Sequence, residues 1–259
     1  MRSDTGSLEY AHARIGSRWG MRPDAAAWRR IEVTRDLPAM LDLARGGSLS
    51  RWLHGVAADS GVHAIETAFR RRWRDAVAEL GAWMAPEWRD AIAWCARLAD
   101  LAAVQHWARG DAPAAWFAHD EVLRGLDAAA DAAAPARASA VETAWHTLLR
   151  HARGEPSALA SRWLVAWQAL LPEGHDRQAI EQTLLPLLRR HAQAFAAPPS
   201  IDGWGQRRAL EARLVALWRR HPVEPVAVFA HLALQAIELE RLRAEVIGRA
   251  AFAHRVLHA

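Results

Sequence analysis

The chain has 259 residues, 52% of them apolar and 24% charged, with 33 Arg+Lys against 29 Asp+Glu. Every one of those 33 basic residues is Arg, and the sequence contains neither Lys nor Asn, which removes the Walker phosphate loop, the kinase strand lysine and Schiff-base catalysis from consideration. The net charge is only +4, so the isoelectric point near 10.6 reflects a shortage of groups titrating between His and Arg and not a strongly positive field.

Ala, Leu, Arg and Glu dominate, β-branched residues are sparse and no stretch alternates with period two, so the fold class reads as all-α. The first helix is predicted over 8–19, stopping at Gly20. Helices over 24–33 and 37–45 follow, the latter closed by Gly46. Ser48 and Ser60 are expected to cap helices over 49–58 and 61–83. Pro86 fits the first turn of a long helix over 86–109 that ends at Gly110; Asp111 and Pro113 then open one over 113–130. Helices over 136–152, over 157–171 behind Ser157, and over 177–195, 205–220 and 224–249 complete the series, with Gly154 as a stop and a short tail helix at the end. No Gly/Ser linker divides the chain, and the Ala128–Ala138 stretch and the Ala197–Gly205 loop are its soft points. The whole is read as a single all-helical domain.

A weak internal repeat runs through it. Phe69-Arg-Arg-Arg-Trp73 leads to Pro86 and a helix ending at Arg109-Gly110. Ser161-Arg-Trp163 leads to Pro172 and a helix ending near Phe195, and Leu210–Leu214 leads to Pro222 and a helix ending at Gly248-Arg249. Each unit is a helix, a proline turn and a longer helix, which suggests repeat units of about 8–110, 111–199 and 200–259.

No run approaches the ~18 uncharged apolar residues of a spanning helix. Arg2, Asp4 and Glu9 at the N-terminus do not resemble a signal peptide, and the single Cys95 rules out an intramolecular disulfide. A soluble, cytoplasmic protein is expected. With 14 Trp against one Tyr, Trp is expected to do the packing of the other aromatics. The 13 His form no His-Glu-x-x-His pattern. His254 and His258 have metal-pair spacing but no acidic or Cys neighbour, and His146 and His151 point to different sides of a helix. His119-Asp120-Glu121 reads as a solvated face, Cys95 as a small core residue, Gly203-Trp-Gly205 as a turn, and Arg70-Arg71-Arg72 with Arg74 as a solvated, ion-paired helix end. No paired-carboxylate, triad, cofactor or metal constellation appears, so no enzyme is expected.

Three segments carry a resemblance in chain order. Tyr10-Ala-His-Ala-Arg14-Ile15 resembles the Tyr-x-x-x-Arg-hydrophobic opening of the C/d family of V-type ATPase rotor subunits, found in archaea and bacteria and related to a eukaryotic counterpart. Ala96-Arg-Leu-Ala-Asp100-Leu101-Ala-Ala-Val104-Gln105 is similar to its Asp-Ile-x-Asn-Leu-Lys helix, with Ala103 and Gln105 in place of Asn and Lys. Pro225-Val-Ala-Val-Phe229, followed by the stretch from Gln235 through Glu238, Arg241 and Arg243 to Gly248-Arg249, resembles the C-terminal pattern: an aromatic, then Lys-x-x-Glu-hydrophobic-x-Asn-hydrophobic-Arg, then Gly-Lys. Glu238, Arg243 and Gly248 keep that pattern; Gln235, Arg241 and Arg249 depart from it, mainly at Lys and Asn, which this chain lacks throughout. The resemblance implies a funnel-like assembly of three pseudo-symmetric helical units. It also implies a non-catalytic central-rotor role, coupling the central-shaft subunits to the membrane proteolipid ring for ion transport. It places the protein in the cytoplasm, peripheral on the membrane and attached through the ring, with no cofactor and no nucleic acid. Tyr10, Arg14, Asp100, Phe229, Glu238 and Arg243 are its motif or interface candidates. A free-standing helical adaptor and an Arg-rich nucleic-acid-binding protein are the other readings left open.

The C-terminal helix can be read without the resemblance. At 1.5 Å per residue, Pro225–Arg249 spans roughly 35 Å. Val228, Leu232, Leu239, Leu242 and Val246 fall on one stripe that must pack. Glu238, Arg241, Glu245 and Arg249 line another, with spacing suited to mutual ion pairs. Glu238 and Arg243 lie about 140° apart around the axis and are not each other's partner; either both are solvated or one or both make a structural pair or a socket contact.

Overall fold

A computed structural model describes residues 3–196 and 202–256, and among them every regular element is a helix. α1 (Ser3–Trp19), α2 (Ala25–Val33) and α3 (Leu37–Arg45) open the chain. Asp24 and Asp36 cap α2 and α3, accepting from the Ala27 and Ala39 N–H groups at 2.7 and 3.0 Å, which satisfies amides that the first helical turn leaves without a partner. A 3-10 turn over Ser48–Trp52 precedes α4 (Val62–Trp83). The predicted long helix over 86–109 is three pieces: a 3-10 turn at Pro86–Trp88 with α5 (Arg89–Cys95), a tightened 3-10 stretch over Ala96–Asp100, and α6 (Leu101–Ala108).

The predicted helix over 113–130 is mostly irregular, with a 3-10 turn at Ala115–His119 and a short α7 (Leu126–Asp131). The cause is local. Asp120 takes an extended backbone and accepts from the Val122 and Leu123 amides at 2.9 and 3.2 Å, bonds that compete with helix, and Gly125 sits at φ 73°. Asp120 is therefore buried, not part of a solvated face. α8 (Ala140–Ala152) starts on a capping box: Ser139 accepts from the Glu142 amide, and Glu142 accepts from the Ser139 amide at 2.8 Å. α9 (Leu159–Ala169), α10 (His175–Ala196), α11 (Gly203–Arg220) and α12 (Pro225–Val256) complete the chain. Gly203-Trp-Gly205 is the first turn of α11 and not a separate turn, because Asp202 caps it and accepts from the Gly205 amide at 2.6 Å. The caps fall on Asp24, Asp36, Ser139 and Asp202; of the expected ones, Ser48 and Ser157 lie inside 3-10 turns. Residues 197–201 of the expected Ala197–Gly205 loop lie outside the described residues.

The chain contacts itself in two compact units, one of residues 1–12 and 77–234, the other of residues 13–76 and 235–259. In the larger unit, α5 packs against α8 and α9, and α10 against α9 and α11. Trp94 stacks on Trp163 with ring centroids 6.0 Å apart, meets Trp145 edge-on at 6.3 Å and donates its indole N–H to the Trp163 carbonyl at 3.1 Å. Phe229 packs against Trp167 at 5.0 Å and Trp88 at 6.0 Å. Each such aromatic pair adds about 0.5–1.5 kcal/mol beyond its area burial, so the Trp-rich composition is spent on packing. Cys95 is buried there too, and burial pushes its thiol up to about 12, so it is an inert core residue. The smaller unit closes over Ile15, Met40, Leu41, Trp52, Ile65 and Leu242, all no more than 1% exposed.

Candidate functional site: the charged face of the C-terminal helix

The predicted apolar stripe of α12 is buried along its length: Val228, Leu232, Leu239, Leu242 and Val246 are at most 8% exposed. From Gln235 onward α12 belongs to the smaller unit, and there Glu238, Glu240, Arg241, Arg243, Glu245 and Arg249 make ion pairs.

Glu238 is the most enclosed. Its carboxylate accepts from Arg51 Nη2 at 2.6 Å and from Trp52 Nε1 at 2.8 Å, with Arg22 Nε at 3.9 Å, while the residue is 4% exposed. A lone carboxylate so placed would be strongly disfavoured; two charge-assisted bonds and a nearby second guanidinium meet its charge. The Arg51 guanidinium also lies 4.6 Å from the centroid of the Trp52 ring, so the cation, the indole and the carboxylate form one cluster.

Arg243 makes a fork to Glu66, Nε to Oε2 at 2.8 Å and Nη2 to Oε1 at 2.5 Å, and a further bond to Glu240 at 3.1 Å. The bond to Glu66 is the main reason its guanidinium is held above its ordinary value. Glu66 is also 3.9 Å from Arg70. Arg70 is buried, so this part of the Arg70–Arg72 run is not the solvated end expected, whereas Arg72 pairs with Asp75 at 3.1 Å as a helix-surface pair should. Just before Arg243 on α12, Arg241 bonds Glu32 at 2.5 and 3.2 Å with its guanidinium 4.3 Å from the Trp28 ring centroid.

Arg249 acts differently. Its Nε donates to the Thr34 carbonyl at 2.7 Å, and Nη2 donates to the Ile31 and Glu32 carbonyls at 3.0 and 3.1 Å. These carbonyls belong to the C-terminal end of α2, so a side chain of α12 caps the end of another helix. Its Nη1 bonds Glu245 at 2.6 Å, a mutual pair within the predicted Glu238–Arg249 stripe.

Of the six candidates, Glu238 and Arg243 thus lie on the same stretch of α12 but on different sides of it, and both are structural pairs, not solvated charges. Phe229 and Asp100 are buried in the larger unit, where Asp100 stands at the start of α6. Tyr10 is 52% exposed on α1, and Arg14 is exposed on the same helix. Gly248 keeps the family pattern, yet an added Cβ there meets nothing within 4 Å, so no close approach demands glycine. The partners Glu32, Arg51, Trp52 and Glu66 carry no signal in the sequence that would single them out.

On this helix the carboxylates of Glu238, Glu240 and Glu245 each meet a guanidinium, of Arg51, Arg243 and Arg249. Among the described residues no group of three or more His, Cys, Asp and Glu could hold a metal ion. His146 and His151 each bond a backbone carbonyl, of Ala129 at 2.9 Å and of Thr147 at 2.7 Å. The His254–His258 pair falls outside the residues whose side chains are described. An open groove of about 400 Å³ between α4 and α5 is lined by Val77, Ala78, Gly81, Ala82, Ile92 and Ala93, with Arg89 its one ionisable group. Among the described residues no helix is long and apolar enough to cross a membrane. Comparison of the chain with protein-family models, with curated proteins and with solved structures finds no match in any of the three.

Proposed function

We propose that the chain is a non-catalytic central-rotor subunit of a V-type ATPase, coupling the central shaft to the membrane proteolipid ring. The observation that carries this reading is the clamp on α12. The residues on which the C-terminal resemblance rests, Glu238 and Arg243, with Arg249 beside them, join that helix to Arg51, Trp52, Glu66 and the end of α2 through multi-donor contacts. A torque coupler makes and breaks no bond and has to resist deformation, and a charged face committed to internal pairs suits that task. In this reading the helices group into three pseudo-symmetric units arranged as a funnel, and the protein sits peripherally on the cytoplasmic side of the membrane, held through the ring.

The test is a tagged pull-down from mildly solubilised native membranes with mass-spectrometric identification of what is recovered. Proteolipid together with shaft and catalytic subunits is the expected result. A clean preparation lacking all of them, from cells that express a V-type complex, overturns the reading and leaves a free-standing helical adaptor. Binding to DNA or RNA that falls steeply with salt would instead favour the Arg-rich nucleic-acid reading.

A further inference from the structure

The outward face of α11 carries four arginines and no carboxylate. Arg208, Arg213, Arg219 and Arg220 are all exposed, and at about 100° per residue they fall on the side of the helix opposite its buried residues Leu210, Leu214 and Trp218. Among the described residues, Arg213, Arg219 and Arg220 pair with no carboxylate. Arg208 has only Asp202, at 3.8 Å, and that carboxylate is committed to the cap of α11. Glu211, the acidic residue inside the helix, lies round on the side of Trp218. The dipole of the helix C-terminus suits cations at 219 and 220, but it gives no reason for those at 208 and 213. The four rise over roughly 18 Å and form two flanks, Arg208 with Arg219 and Arg213 with Arg220, about 120° apart around the axis. Between the flanks the surface is Ala209, Ala212 and Ala216, all exposed.

We propose that this face docks an acidic amphipathic α-helix of a partner protein, its Asp and Glu side chains flanking an apolar ridge. The carboxylates meet Arg208 and Arg219 on one flank and Arg213 and Arg220 on the other, in the way that charges bordering a helix–helix seam set partner and orientation. The ridge lies along Ala209, Ala212 and Ala216, whose spacing of three and four residues is that of a helix-packing stripe, and their short side chains let the two axes come close. Charge and shape select this occupant over others. The larger unit, to which α11 belongs, holds 17 Arg against 19 Asp+Glu, so its field does not gather a long polyanion such as a nucleic acid. The face has no large apolar side chain to sink into a bilayer, and a second copy of the same face would oppose arginine to arginine. This docking does not depend on the rotor reading: it concerns which helix the surface accepts, in whatever assembly the partner belongs to.

The experiment is fluorescence anisotropy of the full chain with a labelled synthetic three-heptad peptide, helical by design, that has Leu along its seam and Glu on both flanks, and with the same peptide carrying Lys in place of Glu. Binding of the Glu peptide that weakens with salt, and none of the Lys peptide, is expected. Arg213→Glu should weaken the binding about tenfold, one exposed ion pair lost and one repulsion gained. Arg71→Glu, the same change of charge at an exposed position on α4, should alter it less than about twofold. Ala212→Trp, which fills the strip between the flanks and leaves the charge alone, should weaken it at least about tenfold, with unchanged helical circular dichroism as the check on folding. No binding of the Glu peptide, equal losses from Arg213→Glu and Arg71→Glu, binding untouched by Ala212→Trp, or tighter binding to a single-stranded oligonucleotide or to phosphatidylserine vesicles at the same salt overturns the proposal.

Discussion

Removal of the Glu238 carboxylate is the sharpest test of the α12 clamp. In Glu238→Ala, Trp52 Nε1 loses its acceptor while the indole stays 1% exposed; a buried donor left without a partner costs about 1–3 kcal/mol. Arg51 loses its counter-charge at the same time. Breaking a fully buried pair costs about 3–5 kcal/mol, but the Arg51 side chain is 31% exposed, so water recovers much of this and ~1 kcal/mol is the share to assign. The sum is about 3 kcal/mol, well above an ordinary substitution. Glu238→Gln keeps an acceptor for the indole and loses only the charge assistance, about 1 kcal/mol. Because the chain forms two compact units, a single global midpoint can hide a local loss. Hydrogen exchange by mass spectrometry, read on peptides covering the Ser48–Trp52 turn and the second half of α12, is therefore the assay alongside denaturant unfolding. Exchange should speed up in those peptides for Ala and much less for Gln. An alanine variant costing under about 1 kcal/mol, or a glutamine variant as damaging as alanine, would refute the account of a buried, charge-assisted acceptor.

Three further outcomes are expected. Arg249→Lys keeps the charge but cannot reach the Thr34, Ile31 and Glu32 carbonyls together; it should cost ~1 kcal/mol and speed exchange at the end of α2, and protection equal to wild type there would count against the capping role. Val223 sits at φ 57°, a left-handed conformation that a β-branched residue holds only with strain. Val223→Gly should therefore raise the melting temperature by the equivalent of up to about 1 kcal/mol after the entropy of the unfolded glycine is subtracted, and a lower melting temperature would contradict this. His191 is held below its ordinary value by burial first and Arg207 second. Its neutral form is the one the folded state prefers, so the full contribution is present above about pH 6.5. It declines as the pH falls below that value, because the unfolded chain then takes up a proton the folded site resists. His191→Phe should flatten the fall in melting temperature on acidification, and an unchanged slope would remove His191 from the explanation.

Much of the fold is legible because its punctuation is local. α3 occupies the predicted 37–45 since Asp36, Pro38 and Gly46 all act within a turn of its ends. The helix over 113–130 failed for an equally local reason that composition conceals: Asp120 bonds its own following amides, and an Ala-rich sequence gives no warning of it. The 3-10 stretch over Ala96–Asp100 has no Gly or Pro to mark it. At the site, the stripe of α12 could be read from spacing alone, and so could the fact that Glu238 and Arg243 do not pair with each other. Their partners could not. Arg51 and Glu238 stand 187 positions apart, and Glu66 and Arg243 177, and no periodicity within a helix encodes a contact at that separation.

The absence of lysine, which excludes several chemistries outright, also shapes how the clamp works. An ammonium is a point charge with its donors at one atom, whereas a guanidinium spreads five donors over a planar fork. Arg243 uses its fork on Glu66 and still reaches Glu240, Arg241 bonds Glu32 while covering Trp28, and Arg249 divides its donors between three carbonyls of one helix end and Glu245 on its own helix. Attachment of α12 therefore depends on donor geometry at a few arginines more than on the number of opposite charges nearby. On that basis the charge-conserving Arg249→Lys should be felt, while neutralising Arg71, which is exposed on α4, should change stability by no more than about 0.5 kcal/mol. Comparable losses from both substitutions would mean that summed charge, and not the placement of donors, holds the helix.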